Sequence, residues 1–392
     1  MKKAEVVLIP IPAMGHIVAI VEIAKLLLQR DDRLYTTILV MHPTLYPSTT
    51  KYNESLAASA LPDRMRVINL PRVESITSDT KSSNWLSTLI EGQKPHVKEY
   101  VSKMRTQFEL SLDAPRLAGF IFDSFATGLK EVANEFGFPW YAFSASGAAF
   151  LGCLLHLQAL HDEQGVDLTE FKNSDVELKI PSLANPLPAK LLPSALLEID
   201  SLPTVLEQVR ALAEARGILV NTFLEFESHA VTSLSNGRTP PIYPVGPIIR
   251  QKRDGHDVGS EQSNDYRNMV EWLDDQPPSS VMFLCFGSNG SFREKQVTEI
   301  ACALENSGHR FLWSLRKPPP AGNADDIMKA IKHVMEGGEE IRKKVKELSG
   351  ISEKSVMADG RSYSSLGRLV DDIIDNHQRS NSSNYAPTSY FK

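Results

Sequence analysis

Cysteine is scarce in this chain of 392 residues, which contains only Cys153, Cys285 and Cys302. These three are far apart, odd in number and without CxxC spacing, so the sequence indicates neither a disulfide framework nor a zinc site. No other cluster of metal-ligand residues stands out, and we expect no metal ion. This cysteine usage favours the reducing environment of the cytoplasm.

Positive charge is not in excess either. The chain has 42 Lys and Arg residues against 48 Asp and Glu residues, which gives a formal net charge of -6 at pH 7. Proteins that bind nucleic acid usually carry a basic patch, so this composition argues against a nucleic-acid partner. Small molecules and other proteins are the favoured partners.

Long apolar runs are also missing, since no segment approaches the roughly 20 apolar residues of a membrane-spanning helix. The beginning of the chain, Met1–Lys3 followed by apolar residues, could be interpreted as a secretory signal peptide. Pro10, Pro12, His16 and Glu22 interrupt that run. We therefore expect a cytoplasmic protein without a membrane span.

Glycine-rich phosphate loops are absent from the expected places. The turn after the first apolar run, residues 10–16, offers only Gly15 where a dinucleotide-binding turn needs three glycines. No GxxxxGKS or GxxxxGKT loop occurs in the chain. A dinucleotide-dependent dehydrogenase is therefore not favoured.

The sequence does contain short apolar runs that alternate with longer amphipathic stretches, a pattern typical of a parallel sheet with covering helices. In the first half, strands are predicted over residues 5–11, 35–41, 65–70, 117–123, 140–144 and 217–222. Helices are predicted over residues 16–30, 84–110 and 125–137. This half is therefore predicted to be a doubly wound α/β domain.

Length and composition predict two domains. The proline-rich stretch 179–196 predicts a long surface excursion, a common place for binding loops. The predicted parts are an N-terminal Rossmann-like domain over 1–247, a polar linker over 248–265, a C-terminal domain over 266–376 and a disordered tail over 377–392. The C-terminal domain offers only two strand candidates, 281–288 and 310–316.

Two polar residues follow apolar strands at the edge of the predicted sheet where ligands bind in open α/β folds. Gly15 would allow a sharp turn, and the positive end of the next helix would keep His16 neutral and able to accept a proton. Asp123 could bond one imidazole nitrogen and leave the other for a substrate hydroxyl. The alternative is structural, with His16 merely in a helix's first turn and Asp123 capping a helix that begins near Phe125.

A second strand-to-helix turn contains Gly287, Ser288 and Asn289. Backbone amides and a hydroxyl in such a turn are suited to bind phosphate. The competing interpretation is an ordinary turn of small residues, because short glycine motifs are weak by themselves.

Six stretches in order along nearly the whole chain resemble the plant family of UDP-dependent glycosyltransferases that act on secondary metabolites. They are PIPAMGHIVAIVEIAKLL, LAGFIFDSFATGLKEVANEFGFPWYAFSASGAAFL, GILVNTFLEFE, PIYPVGPII, EWLDDQPPSSVMFLCFGSNGSF with IACALENSGHRFLWSLR, and SYSSLGRLVDDI. The resemblance implies a GT-B fold, which consists of two Rossmann-like domains. It also implies inverting transfer of a hexose from a UDP-sugar, UDP-glucose above all, to a hydroxyl of a flavonoid, another phenolic or a terpenoid.

The resemblance implies roles for individual residues. His16 would be the catalytic base, Asp123 its partner, and Ser288 the residue that meets the donor diphosphate, with Gly287 and Asn289 beside it. The acceptor would lie in the N-terminal domain against Gly15, Phe122, Phe125 and Phe143. No metal or other cofactor is implied, and we expect a monomer.

The strongest signature of that family is absent. After residue 316 its members carry a donor-binding box with a Trp-Ala-Pro-Gln stretch, a His-Cys-Gly-Trp-Asn-Ser stretch and a closing acid–Gln pair, and none of these occurs here. About three βα units, on the order of 90 residues, are missing. The C-terminal domain is therefore expected to be incomplete.

This gap predicts two consequences. Two strands cannot form a stable Rossmann half, so we expect loose packing after residue 265 while residues 1–247 fold. Loss of the donor contacts would impair turnover. The alternative hypotheses are a non-catalytic product that binds acceptors or regulates an intact relative, and a nonfunctional truncated product.

Overall fold

The computed structural model describes residues 3–42, 52–54, 56, 61–73, 85–111, 113–249, 264–287, 292, 294–315 and 339–383. The chain divides into two compact units, the first formed by residues 1–251 and 352–392 and the second by residues 252–351. None of the helices in the described ranges is both long and apolar enough to span a lipid bilayer.

The first unit is built on a sheet of seven strands. They are β1 (Ala4–Ile9), β2 (Leu34–Val40), β3 (Met65–Asn69), β4 (Arg116–Asp123), β5 (Trp140–Ser144), β8 (Ile218–Val220) and β9 (Ile242–Pro244). Every pairing is parallel, and the strand order is β3-β2-β1-β4-β5-β8-β9. The predicted doubly wound sheet is therefore confirmed, with β9 as a strand that lies beyond the predicted ones.

Helices cover both faces of this sheet. Numbered along the chain, the helices are α1 (Met14–Arg30), α2 (Trp85–Leu110), α3 (Lys130–Phe136), α4 (Ala148–Gln164), α5 (Ser194–Leu197), α6 (Leu202–Ala211), α7 (Ser228–Leu234), α8 (Asn264–Asp274), α9 (Glu294–Ser307), α10 (Glu339–Val356) and α11 (Arg361–Ser383). Buried residues of α2, α3, α4 and α7 form one core with the sheet. Buried residues of α1 and α11 form a second core on its other face.

Helix α11 belongs to the first unit, although residues 361–376 were predicted to lie in the C-terminal domain. Its buried apolar residues, each at most 5% exposed, are Leu366, Leu369, Val370, Ile373 and Ile374. The domain boundary therefore differs from the predicted one, because this apolar face packs against the first sheet. The helix also extends to Ser383, inside the predicted tail. Residues 250–263 of the predicted linker and 384–392 of the tail lie outside the described residues.

The proline-rich excursion folds into a satellite layer. Strand β7 (Leu187–Pro188) lies within it and pairs in antiparallel fashion with β6 (Glu177–Leu178), which immediately precedes the excursion. Its apolar residues pack with α4, α5 and α6 in a third core. The excursion is therefore an ordered part of the first unit rather than an extended loop.

The second unit contains a two-stranded parallel sheet, β10 (Val281–Cys285) and β11 (Arg310–Ser314). Helix α9 packs on it through a small cluster that includes Leu284 and Ile300. Phe283 is 63% exposed and Phe311 is 38% exposed. An apolar strand such as β10 is normally covered on both faces in a parallel sheet, so its exposure accords with the expected loose packing.

Candidate active site

His16 lies in the first turn of α1, just beyond the carboxyl end of β1. Its backbone N–H donates to the carbonyl of Ala13 at 3.0 Å. Gly15 belongs to the same helical turn, so the sharp turn predicted at this glycine is absent. A Cβ added at Gly15 would meet no atom within 4 Å among the described residues. Among the described residues, Gly15 therefore borders open space.

Asp123 is the last residue of β4, the strand that pairs with β1. The carboxyl ends of these neighbouring parallel strands meet at the same edge, which brings the two predicted side chains together. Oδ2 of Asp123 lies 2.6 Å from Nδ1 of His16. Asp123 is fully buried, whereas the His16 side chain is 23% exposed. The carboxylate accepts from Nδ1–H, so Nε2 is the imidazole nitrogen left to accept a proton.

Asp123 does not cap a helix, as the alternative interpretation predicted, because the next helical turn begins at Thr127 and its N-cap, Ala126, has no side-chain cap hydrogen bond. Asp123 instead stabilises the loop before that turn. Its Oδ1 atom accepts a hydrogen bond from the backbone N–H of Phe125 at 3.0 Å, in an Asx turn. One carboxylate oxygen therefore fixes the loop after β4, and the other holds His16. The carboxylate therefore has a structural contact in the loop as well as its contact with His16, and each uses a different oxygen.

Electrostatics at His16 are dominated by two opposing effects. Burial lowers the pKa of His16, but the hydrogen bond to Asp123 and its negative charge raise this pKa to a net value above the usual 6.5. The position of His16 at the start of a helix predicted that the positive end of α1 would keep the imidazole neutral. That end carries only about half an elementary charge, so the full charge of Asp123 at hydrogen-bond distance outweighs it. An imidazolium formed here is stabilised by the buried carboxylate.

Phe125 is the predicted acceptor residue that lies beside His16. The two rings are in an edge-on arrangement, with centroids 6.0 Å apart and an interplanar angle of 67°. Phe125 is only partly buried against the core of the first unit. Its ring therefore forms an apolar wall next to the imidazole.

Two other predicted acceptor residues lie in the core instead. Phe122 and Phe143 are both fully buried. Phe122 stacks on Phe120 at 5.3 Å on one face of the sheet, and Phe143 packs in the core on the other face. Side chains of a strand alternate between the two faces, so both rings point into helical layers rather than beyond the strand end. Their burial therefore argues against the acceptor-binding role predicted for them.

The predicted donor-binding turn is described only at its first residue. Gly287 follows β10 with a φ of 75°, a left-handed conformation that glycine adopts without strain. Ser288 and Asn289 lie outside the described residues.

The carboxylate of Glu227 makes a contact that no local sequence pattern predicted. Glu227 accepts hydrogen bonds from the backbone N–H groups of Ala148 and Ala149 at 2.8 and 3.0 Å. These groups begin α4, which follows β5 next to β4. A Cβ at Gly147 would lie 2.5 Å from that carboxylate, so the glycine makes room for it. The contact could not be predicted because its partners are about 80 residues apart.

Comparisons with known proteins identify related sequences, although no protein-family model matches the chain. It is 50% identical over 325 residues to the putative UDP-glucose flavonoid 3-O-glucosyltransferase 3 of Fragaria ananassa, which takes in 82% of this chain and 67% of the relative. It is 40% identical over 482 residues to UDP-glucose flavonoid 3-O-glucosyltransferase 6 of the same species, covering 95% of this chain and 99% of the relative. UDP-glycosyltransferase 71A15 of Malus domestica is 36% identical over 482 residues, with 95% and 100% covered.

Solved structures of similar fold come from the same kind of protein. A UGT transferase from Siraitia grosvenorii in complex with UDP has a TM-score of 0.81 and 30% identity, and the match covers 95% of this chain and 100% of that one. UGT71G1 of Medicago truncatula complexed with UDP-glucose has a TM-score of 0.80 and 26% identity, with 95% and 98% covered.

Proposed function

This chain belongs to the plant UDP-dependent glycosyltransferases and has their GT-B fold, and we propose that it serves inverting transfer of a hexose from a UDP-sugar to a hydroxyl of a plant small molecule. The donor is proposed to be UDP-glucose, and the acceptor a flavonoid, another phenolic or a terpenoid. Relatives named as UDP-glucose flavonoid 3-O-glucosyltransferases support this choice.

The contact between Nδ1 of His16 and Oδ2 of Asp123 carries the proposal. An acceptor hydroxyl on the Nε2 side gives its proton to His16 as its oxygen attacks the anomeric carbon of the donor. A new carbon–oxygen bond forms there, the bond from that carbon to the diphosphate breaks, and UDP leaves with the bonding electrons. The negative charge of Asp123 stabilises the imidazolium, and Phe125 limits the water that reaches it.

The diphosphate of the donor is assigned to the turn at Gly287, Ser288 and Asn289. The left-handed backbone of Gly287 supports this assignment, because it permits close approach of a ligand to the main chain. No metal ion or further cofactor has a part in this mechanism.

Donor binding is proposed to be weak in this chain. The alignments with two relatives extend over 482 residues, more than the 392 residues of the chain, so those relatives hold residues that this chain lacks. The donor-box motifs do not occur in this chain, and we assign them to the missing stretches. Each lost charge-assisted contact costs about 1.5–3 kcal/mol, so several lost contacts lower affinity by orders of magnitude.

The protein is further proposed to work as a cytoplasmic monomer. The scarcity of cysteine and the absence of a membrane-spanning helix from the described ranges support that location.

UDP release tests the catalytic proposal. The chain is mixed with UDP-glucose and a panel of phenolic acceptors, and a matched sample carries His16→Ala. We expect slow, acceptor-dependent UDP release that falls at least 100-fold in the variant, because a general base contributes about 10²–10⁴-fold. Equal release by both proteins would contradict the role of His16.

The missing segment also favours a second candidate, a non-catalytic protein that binds acceptors. Calorimetry with a flavonoid and with UDP-glucose separates the two, since this candidate binds only the flavonoid. A chimera that carries the corresponding Fragaria segment after Arg316 is the matched control. It should gain UDP-glucose binding and UDP release if only the donor box is lacking.

A further inference from the structure

The loop after β4 contacts both members of the His16–Asp123 pair. We call residues 124–127 the dyad loop. Within it, the backbone N–H of Phe125 donates to Oδ1 of Asp123 at 3.0 Å, and the Phe125 ring lies edge-on to the His16 ring. The position of this one residue therefore bears on the carboxylate and on the imidazole at once.

Helix α6 forms two hydrogen bonds with the dyad loop. Nε2 of Gln208 donates to the carbonyl oxygen of Phe125 at 3.3 Å. In return, the hydroxyl of Thr127 donates to the carbonyl oxygen of Gln208 at 3.3 Å. Thr127 is only 1% exposed, so water does not readily replace its bond. The two bonds form a reciprocal pair between the helix and the loop.

Helix α6 is also tied to the rest of the satellite layer. Leu202, Leu206 and Val209 are buried in the core that α6 shares with the proline-rich excursion. An ion pair of 2.6 Å joins Lys130, the first residue of α3, to Glu214, which lies three residues after α6. Packing and hydrogen bonds through α6 therefore link the excursion to the dyad loop.

We propose that Gln208 is a positioning residue for the His16–Asp123 pair, because its side chain fixes Phe125 and thereby fixes the carboxylate that holds the imidazole. This inference rests on the proposed function, in which that pair removes a proton from the acceptor. It assigns to α6, on which the excursion packs, a role in positioning the base, since a shift of α6 is transmitted to the dyad loop.

The consequence of losing Gln208 follows from the contacts. Without the amide donor, the Phe125 carbonyl loses its tie to α6, and the dyad loop gains freedom. The bond from the Phe125 N–H to Asp123 then weakens, and the carboxylate spends less time at hydrogen-bond distance from His16. His16 binds its proton less tightly, because the negative charge beside it is what raises its affinity.

Titration of the imidazole tests this inference without any need for turnover. NMR of histidine ring protons follows His16 in the full chain and in Gln208→Met, which keeps the size of the side chain but not its donor. We expect the midpoint of His16 to fall by about half a pH unit, a threefold loss of proton affinity. Glu207→Gln, at the exposed neighbouring position of α6, should leave it unchanged. His156, a partly buried residue of α4, serves as the internal reference.

A second variant keeps the test valid if Gln208→Met fails to fold. Thr127→Val removes the other bond of the reciprocal pair and should move the midpoint in the same direction. Unchanged His16 midpoints in both folded variants would overturn the proposal. A wild-type chain that releases no UDP would overturn the proposed function but leave this titration decisive for Gln208. In an active chain, Gln208→Met should lower kcat and leave the KM for UDP-glucose unchanged. The variant should also shift the acid limb of the plot of kcat against pH.

Discussion

At the scale of single residues, the chemistry depends on a charge buried where water cannot solvate it. Asp123 is fully buried, and a carboxylate in such a place needs hydrogen bonds and a cationic partner. His16 supplies that partner when it is protonated, and the Phe125 N–H supplies a further bond. The site thus favours the imidazolium, which is the state that a base reaches after it has taken a proton.

The first prediction concerns the pKa of His16. In Asp123→Asn the negative charge is gone while burial remains, so the pKa should fall below 6.5 instead of lying above it. NMR titration of His16 measures this change, with His156 as the unaffected reference. A midpoint that stays above 6.5 in the variant would show that another group raises it.

The second prediction concerns stability. Because folding raises the pKa of His16, the pair stabilises the protein fully below pH about 6.5, and this contribution declines as pH rises through the folded-state pKa. The difference in unfolding free energy between the wild type and His16→Gln should therefore be larger at pH 6 than at pH 9. Urea unfolding at the two pH values measures it. If the difference in unfolding free energy is as large at pH 9 as at pH 6, the pKa of His16 is not coupled to folding in this way.

At the scale of elements, α11 is joined to the first sheet by one anchored carboxylate as well as by apolar packing. Asp372 accepts from the Tyr141 hydroxyl at 2.6 Å and from the Arg216 guanidinium at 2.8 and 3.1 Å. Burial raises the pKa of Asp372, but its bonds to Arg216 and Tyr141 lower it by more, to a net value below the usual one. The carboxylate therefore stays charged and connects β5, the start of β8 and α11.

The third prediction tests this anchor. Asp372→Ala leaves the Tyr141 hydroxyl without its acceptor, and we expect a loss of about 1.5–3 kcal/mol in unfolding free energy. Most of this loss comes from Tyr141, since Arg216 is 45% exposed and stays hydrated. Asp371→Ala, one residue earlier on the exposed side of α11, is the matched control. Equal effects of the two changes in chemical unfolding would contradict the anchor.

At the scale of the whole molecule, the two units differ in how well they cover their apolar residues. The first unit covers both faces of a seven-stranded sheet with helices. In the second, Phe283 and Leu315 are 63% and 51% exposed, and the sheet has two strands. Few buried apolar contacts mean a low free energy of local opening.

The fourth prediction follows for limited proteolysis. Cleavage should occur first within residues 252–351, while the fragments 1–251 and 352–392 stay associated through α11. Mass spectrometry of the fragments that co-elute in gel filtration measures this. Resistance of residues 252–351 to the protease would contradict this prediction. Release of the fragment 352–392 from the fragment 1–251 would contradict it as well.

Local sequence patterns were enough to predict the parallel sheet and the two residues of the pair. Apolar runs of strand length identified β1, β2, β3, β4, β5 and β8. His16 and Asp123 were found because strand ends in such sheets carry the chemistry. Patterns did not separate pocket from core, since Phe122 and Phe143 are buried within β4 and β5, whereas Phe125 lies in the loop just after β4. Glu227 and Gln208 had no local signal, because their partners are distant in the chain.

The sequence by itself determined the alternation of strands and helices and the family to which the chain belongs, because both reside in local periodicity and in short contiguous motifs. Only the tertiary structure decided that α11 joins the first unit and that one oxygen of Asp123 serves the loop while the other serves His16. It also decided that the charge of Asp123, rather than the end of α1, controls the imidazole. The physical reason is that burial and electrostatic interaction depend on distances in space, which spacing along a chain does not encode.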